Sequence, residues 1–173
     1  MATRNDKEPP TIQAKLGFAD NDLKTSTHDE ILLALDENLE TVCTQMLGIK
    51  RHDPPCPPMT IDKRTWEYAV LSGKYTVGFV DLMAVVSWEY ELIAVGMSDD
   101  QKLCAIPRRQ DTLYFEIKST IPSLGELVRQ IRFYQSYVGN CKTNIFVVVS
   151  PDTRWRDALE SQGIRFIAYP FEI

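Results

Sequence analysis

The sequence predicts an α/β fold, a mixed central β-sheet flanked by helices, and three observations carry that expectation. Residues 144–149 form an apolar run, 152–162 have helical character, and 164–169 are apolar again, a compact β-α-β pattern whose two strands should lie parallel. Residues 64–71 and 75–88 are rich in β-branched and aromatic side chains and are separated by Ser72-Gly73-Lys74, the signal of an antiparallel hairpin. Amphipathic helical patterns stand before the hairpin and before the β-α-β unit. A chain of 173 residues is long enough to cover such a sheet as one domain with one core.

The elements follow in order. Residues 1–27 are polar, carry Pro9-Pro10 and show no sustained period, so they are expected to form an extended N-terminal arm, with 28–173 as the single domain. Ser26 or Thr27 can cap a helix with Asp29 and Glu30 in its first turn. Ile31, Leu32, Leu35, Leu39, Val42, Cys43 and Met46 then recur at helical spacing, and Gly48 ends it. Residues 50–58, with Pro54-Pro55 and Pro57-Pro58, must be a loop. After the hairpin, 90–95 is expected to continue the sheet, 98–111 to be a polar connection, and 113–118 to be a strand. Ser123 precedes a helix from Leu124 to Tyr134, with Leu124, Leu127, Val128, Ile131 and Tyr134 on one face and Gly139-Asn140 as its stop.

Composition excludes several classes. An apolar fraction of 44% with 25% charged residues is that of a soluble globular protein. The most apolar stretch, 77–97, contains Asp81, Glu89 and Glu91, so no membrane span is expected. Residues 1–20 lack the apolar core of a signal peptide, and a cytoplasmic location is expected. Cys43, Cys56, Cys104 and Cys141 are scattered without a C-x-x-C pair, which favours free thiols over a zinc or iron–sulfur site. A net charge of -5 argues against a non-specific nucleic-acid coat, because such binding comes from Lys and Arg neutralising phosphates. It does not argue against a nuclease, whose carboxylates gather to hold cations.

The chemistry concentrates on the strand Leu113-Tyr114-Phe115-Glu116-Ile117-Lys118. Residues i and i+2 share a strand face, so Glu116 and Lys118 project side by side from a segment suited to burial, which is costly unless something else needs them there. Alone, the pair reads equally as an ion pair. Asp81 interrupts the apolar strand Val77-Gly78-Phe79-Val80-Asp81-Leu82-Met83, and alone it too could be a structural ion-pair partner.

Together, Gly78-x-Val80-Asp81, Glu116-x-Lys118 and Gln130-x-x-x-Tyr134, in that order and each on its expected element, resemble the PD-(D/E)xK nuclease superfamily, which has the restriction-endonuclease-like fold, and within it the RecB-like branch. The likeness runs from the helix at Glu30 to about Tyr169, although a handful of positions carry it. It implies a restriction-endonuclease-like core and an Mg²⁺-dependent deoxyribonuclease, with Mn²⁺ able to substitute. Asp81 and Glu116 would be metal ligands, with the carbonyl of Ile117 completing the protein's share. Lys118 would serve the attacking water, and Gln130 and Tyr134 would face the site. Glu30, from the first helix, would add a carboxylate, although it equally suits the positive end of the helix dipole. Glu37 is a second choice. The resemblance also implies DNA as partner and a homodimer in which each subunit cuts one strand.

The chain departs from the pattern in lacking a proline before Asp81 and in a long spacing between Asp81 and Glu116, which an insertion at 91–111 must absorb. Arg129 and Arg132 share a helix side suited to phosphate, and Arg108-Arg109 and Lys50-Arg51-His52 are basic clusters in expected loops. Two alternatives stay open. One is a catalytically inactive nuclease-fold module that binds DNA or a protein partner. The other is a different doubly wound α/β fold, which the absence of a Gly-rich phosphate loop after an early strand does not favour.

Overall fold

The structure, a computed structural model, describes residues 26–49, 59–89, 108–139 and 141–171. Two helices come first, α1 (Ser26–Glu37) and α2 (Leu39–Leu47), followed by a long hairpin of β1 (Thr60–Ser72) and β2 (Tyr75–Glu89). Then come β3 (Arg108–Ile117), α3 (Leu124–Val138), β4 (Asn144–Ser150), a 3₁₀ turn (Thr153–Trp155), α4 (Arg156–Ser161) and β5 (Arg165–Ala168). The strands form one mixed sheet in the order β1-β2-β3-β4-β5. β1, β2 and β3 are antiparallel neighbours, whereas β3, β4 and β5 run parallel, which for β4 and β5 is the pairing expected of the terminal β-α-β unit.

Alternation along the central strands builds a core on each face. Leu113, Phe115 and Ile117 of β3, with Val147 and Val149 of β4, pack under Ile31, Leu35, Leu39 and Val42 of α1 and α2. The intervening Tyr114, Phe146 and Val148 join Leu127, Ile131 and Tyr134 of α3 and Leu159 of α4. Strands covered on both faces are nearly continuous apolar runs, which is how 144–149 reads. Burying a side chain such as Phe115, which is fully enclosed, stabilises the fold by about 1.5–3 kcal/mol, and Phe115→Ala would cost about 3–5 kcal/mol.

Three features differ from the sequence expectation. The first helix is broken at Asn38, whose side-chain Nδ2 donates to the Ala34 carbonyl at 2.8 Å and so competes with the helical ladder. β3 begins at Arg108 rather than Leu113, because the polar residues 108–111 pair with Trp88, Glu89 and their neighbours on β2. It ends at Ile117, although the Lys118 N–H still reaches the Val149 carbonyl at 2.9 Å. The expected strand at 90–95, most of the polar connection, the loop at 50–58 and the arm up to residue 25 lie outside the described residues.

Local signals elsewhere act as expected. Gly48 caps α2 at φ 65°, and Gly73 turns the hairpin at φ 61°. The Ser123 hydroxyl accepts from the Glu126 N–H at the start of α3. One residue in β1 breaks the pattern: Glu67 has φ 46°, a left-handed backbone that costs a non-glycine residue roughly 1–2 kcal/mol. Among the described residues no helix is long and apolar enough to cross a membrane.

Candidate active site

The two central antiparallel strands part where the candidate residues stand. β2 and β3 remain paired from Glu89 with Arg108 to Leu82 with Phe115, and the next positions along each strand are Asp81 and Glu116. At the fork the Ile117 N–H donates to Asp81 Oδ2 at 2.7 Å, in place of a β2 carbonyl. In a strand a residue's N–H and C=O point to the same side, so the Ile117 carbonyl faces the β2 side of β3, as its N–H does.

Glu116 and Lys118 lie on the α3 face of β3, and both are almost wholly buried, at 2% and 6% exposure. Lys118 Nζ stands 3.0 Å from Glu116 Oε1, the same oxygen that accepts from Gln130 Nε2 at 2.8 Å. The Gln130 amide also lies 3.2 Å from the Tyr134 hydroxyl, one helical turn along α3. Such a pair persists in an apolar layer because the two charges meet and Glu116 accepts a further hydrogen bond from Gln130.

Gly78 has a steric reason to be glycine. A Cβ at this position would come within 2.5 Å of the Tyr134 ring and 2.9 Å of its hydroxyl. The three sequence motifs are therefore mechanically linked. Gly78 admits Tyr134, Tyr134 and Glu116 share the Gln130 amide, and Glu116 pairs with Lys118.

His28, at the start of α1, completes the cluster from the other side of Asp81, with Nε2 3.4 Å from Asp81 Oδ1 and Nδ1 3.3 Å from Asp29 Oδ1. Burial opposes a charge on this ring. The hydrogen bond and charge of Asp81, with the Asp29 hydrogen bond, outweigh it and raise the His28 pKa to about 9. Two carboxylates thus meet two cations at the fork, Asp81 with His28 and Glu116 with Lys118.

The sequence pattern points to Glu30 on this helix and not to His28. Glu30 itself is exposed and lies about 200° round the helix from His28. Glu37, at the end of α1, is exposed as well. The available signal was that the chain has just two histidines, one of them opening the helix before the core strands.

The described residues of the basic clusters have partners of their own. Arg129 bonds the Gly125 carbonyl, and Arg132 bonds Gln135 and the Gln162 carbonyl. Arg108 and Arg109 belong to β3, near Asp62 and Asp111 respectively. Lys50-Arg51-His52 lies outside the described residues.

Among the described residues, no three His, Cys, Asp or Glu side chains converge as a metal site. The donor set at the fork, two carboxylates and a strand carbonyl, nevertheless suits a hard cation such as Mg²⁺, which takes one or two carboxylates and otherwise keeps water or substrate oxygens. Comparison of the chain with protein-family models, curated proteins and solved structures finds no match.

Proposed function

We propose that this chain is a metal-dependent nuclease that hydrolyses DNA phosphodiester bonds on a restriction-endonuclease-like core. The observation that carries the proposal is that, where β2 and β3 part, Asp81 accepts from the N–H of Ile117, the residue between the paired Glu116 and Lys118. The sheet supports it too, since an antiparallel β1-β2-β3 ribbon continued by parallel β4 and β5 brings the two carboxylate strands side by side.

Asp81 and Glu116, with the carbonyl of Ile117, would hold Mg²⁺, or Mn²⁺ in its place. The bound cation supplies polarisation of the phosphate and a water of lowered pKa. Lys118 would orient the attacking water and offset the negative charge that grows on the phosphate. Gln130 keeps Glu116 in one orientation from α3, and Tyr134 fixes Gln130 in turn. His28 balances Asp81 as Lys118 balances Glu116.

A second reading, a catalytically inactive nuclease-fold module that binds DNA or a protein, is favoured by one observation: each carboxylate already has a cation of the chain's own beside it. The readings separate on incubation of supercoiled plasmid and single-stranded DNA with pure protein and Mg²⁺ or Mn²⁺. Cleavage that needs the metal and fails in Lys118→Ala is expected. Intact DNA in both substrates, or a Lys118→Ala protein that cuts like wild type, would remove the nuclease assignment.

A further inference from the structure

Glu67 is the one non-glycine residue with positive φ among the described residues, and its place in the sheet is telling. Trp66 pairs with Leu82 and Tyr68 pairs with Val80, so Glu67 and Asp81 lie between these two pairs, one on each strand. Val80 and Leu82 are two apart and would share a face in a regular strand. Leu82 instead packs in the α1/α2 core, whereas Val80 packs with Val70 and Tyr134 under α3. The ribbon therefore changes face at the Glu67/Asp81 level. Glu67 itself is exposed, which leaves its backbone conformation as its visible contribution there.

We propose that Glu67 is a positioning residue for Asp81, acting through its left-handed backbone rather than its carboxylate. The turn it puts in β1 swings β2 at Asp81, so that the aspartate leaves the ladder and its two oxygens meet the Ile117 N–H and His28. Strain of this kind persists where the surrounding fold over-determines it, and it collects at functional sites. The consequence for metal binding rests on the nuclease reading; the placement of Asp81 does not.

The full-length chain carries the test, through substitutions that separate backbone from charge. Glu67→Gln keeps the backbone preference without the charge, Glu67→Gly and Glu67→Asn accept a positive φ readily, and Glu67→Val resists it. The readout is the Ile117 amide, whose shift and hydrogen-exchange protection report its bond to Asp81, together with Mn²⁺ affinity. Gln, Gly and Asn are expected to keep the wild-type Ile117 signal and affinity, with the Tm of the glycine variant no lower than wild type. Valine is expected to shift the amide, reduce its protection and weaken Mn²⁺ binding by about tenfold or more. A valine variant with the native Ile117 signal overturns the proposal. So does a glutamine or glycine variant that loses the signal, and these two decide the matter if the valine variant does not fold. If wild type neither binds Mn²⁺ nor cuts DNA, the nuclease reading fails while the Ile117 result still judges Glu67.

Discussion

β3 buries two carboxylates, Asp111 near its start and Glu116 near its end, and they are held in different ways. Asp111, fully enclosed, accepts from Trp88 Nε1 at 2.7 Å and from the Arg109 guanidinium at 2.9 and 3.1 Å. Arg109 stacks over the Trp88 ring and is half exposed, so this carboxylate is discharged toward the surface and ties β2 to β3. Glu116 takes its cation from Lys118, itself buried, and its hydrogen bond from Gln130 of α3, which covers that face, with Asp81 across the fork. One arrangement closes a strand pair. The other gathers charge where the pair opens, and the nuclease proposal depends on that contrast.

The contrast can be broken at its chemical end. Asp81→Asn and Glu116→Gln, nearly isosteric changes, are expected to lower metal-dependent cleavage by about 10²–10³-fold or more, measured as the initial rate on plasmid. Asp111→Asn is expected to cut within a few-fold of wild type while losing about 1–3 kcal/mol of stability, a fall in Tm of several degrees. If Asp111→Asn proved as damaging to cleavage as Glu116→Gln, the two carboxylates would not differ in role.

Packing around the fork offers the next largest effect. Gly78→Ala would drive a methyl into the Tyr134 ring and is expected to cost about 1–3 kcal/mol. The loss should shrink in a Tyr134→Ala background, and chemical denaturation of the four proteins of this cycle measures the coupling. Equal losses in both backgrounds would show that Gly78 is not there for Tyr134.

His28 gives a smaller effect, which depends on pH. Its folded pKa is raised to about 9 from 6.5, so its contribution to stability is full below about pH 6.5 and is lost as pH rises through about 9. Titration of the ring by NMR should give a midpoint near 9, and the stability of His28→Gln should converge on wild type at alkaline pH. Glu30→Ala, on the exposed side of α1, is expected to stay within about 0.5 kcal/mol of wild type and to cut normally.

Much of this was legible in the residues. The hairpin, the parallel terminal strands and the face of α3 follow from period-2 and period-3.6 patterns that burial then enforces, as with Phe146 and Val148 against Val147 and Val149. The candidate residues on β2 and β3 were legible because their charges sit on apolar strands, where a bland explanation is costly, and Gln130 and Tyr134 because they stand one helical turn apart. His28 was not, since a single imidazole in a polar stretch becomes informative only once the fold brings α1 to Asp81. Asn38 looked helical by period, and its competing amide hydrogen bond is a local event that periodicity does not register. The role of Glu67 was hidden for a related reason, because its backbone angle depends on the pairing of β1 and not on its side chain.

The most direct measurement is a crystal of the chain soaked in Mn²⁺ and examined for anomalous density at the fork. The nuclease account requires a peak bound by the Asp81 and Glu116 carboxylates and the Ile117 carbonyl, lost in Asp81→Asn. A fork without density at saturating Mn²⁺, its carboxylates still paired with His28 and Lys118, would contradict it.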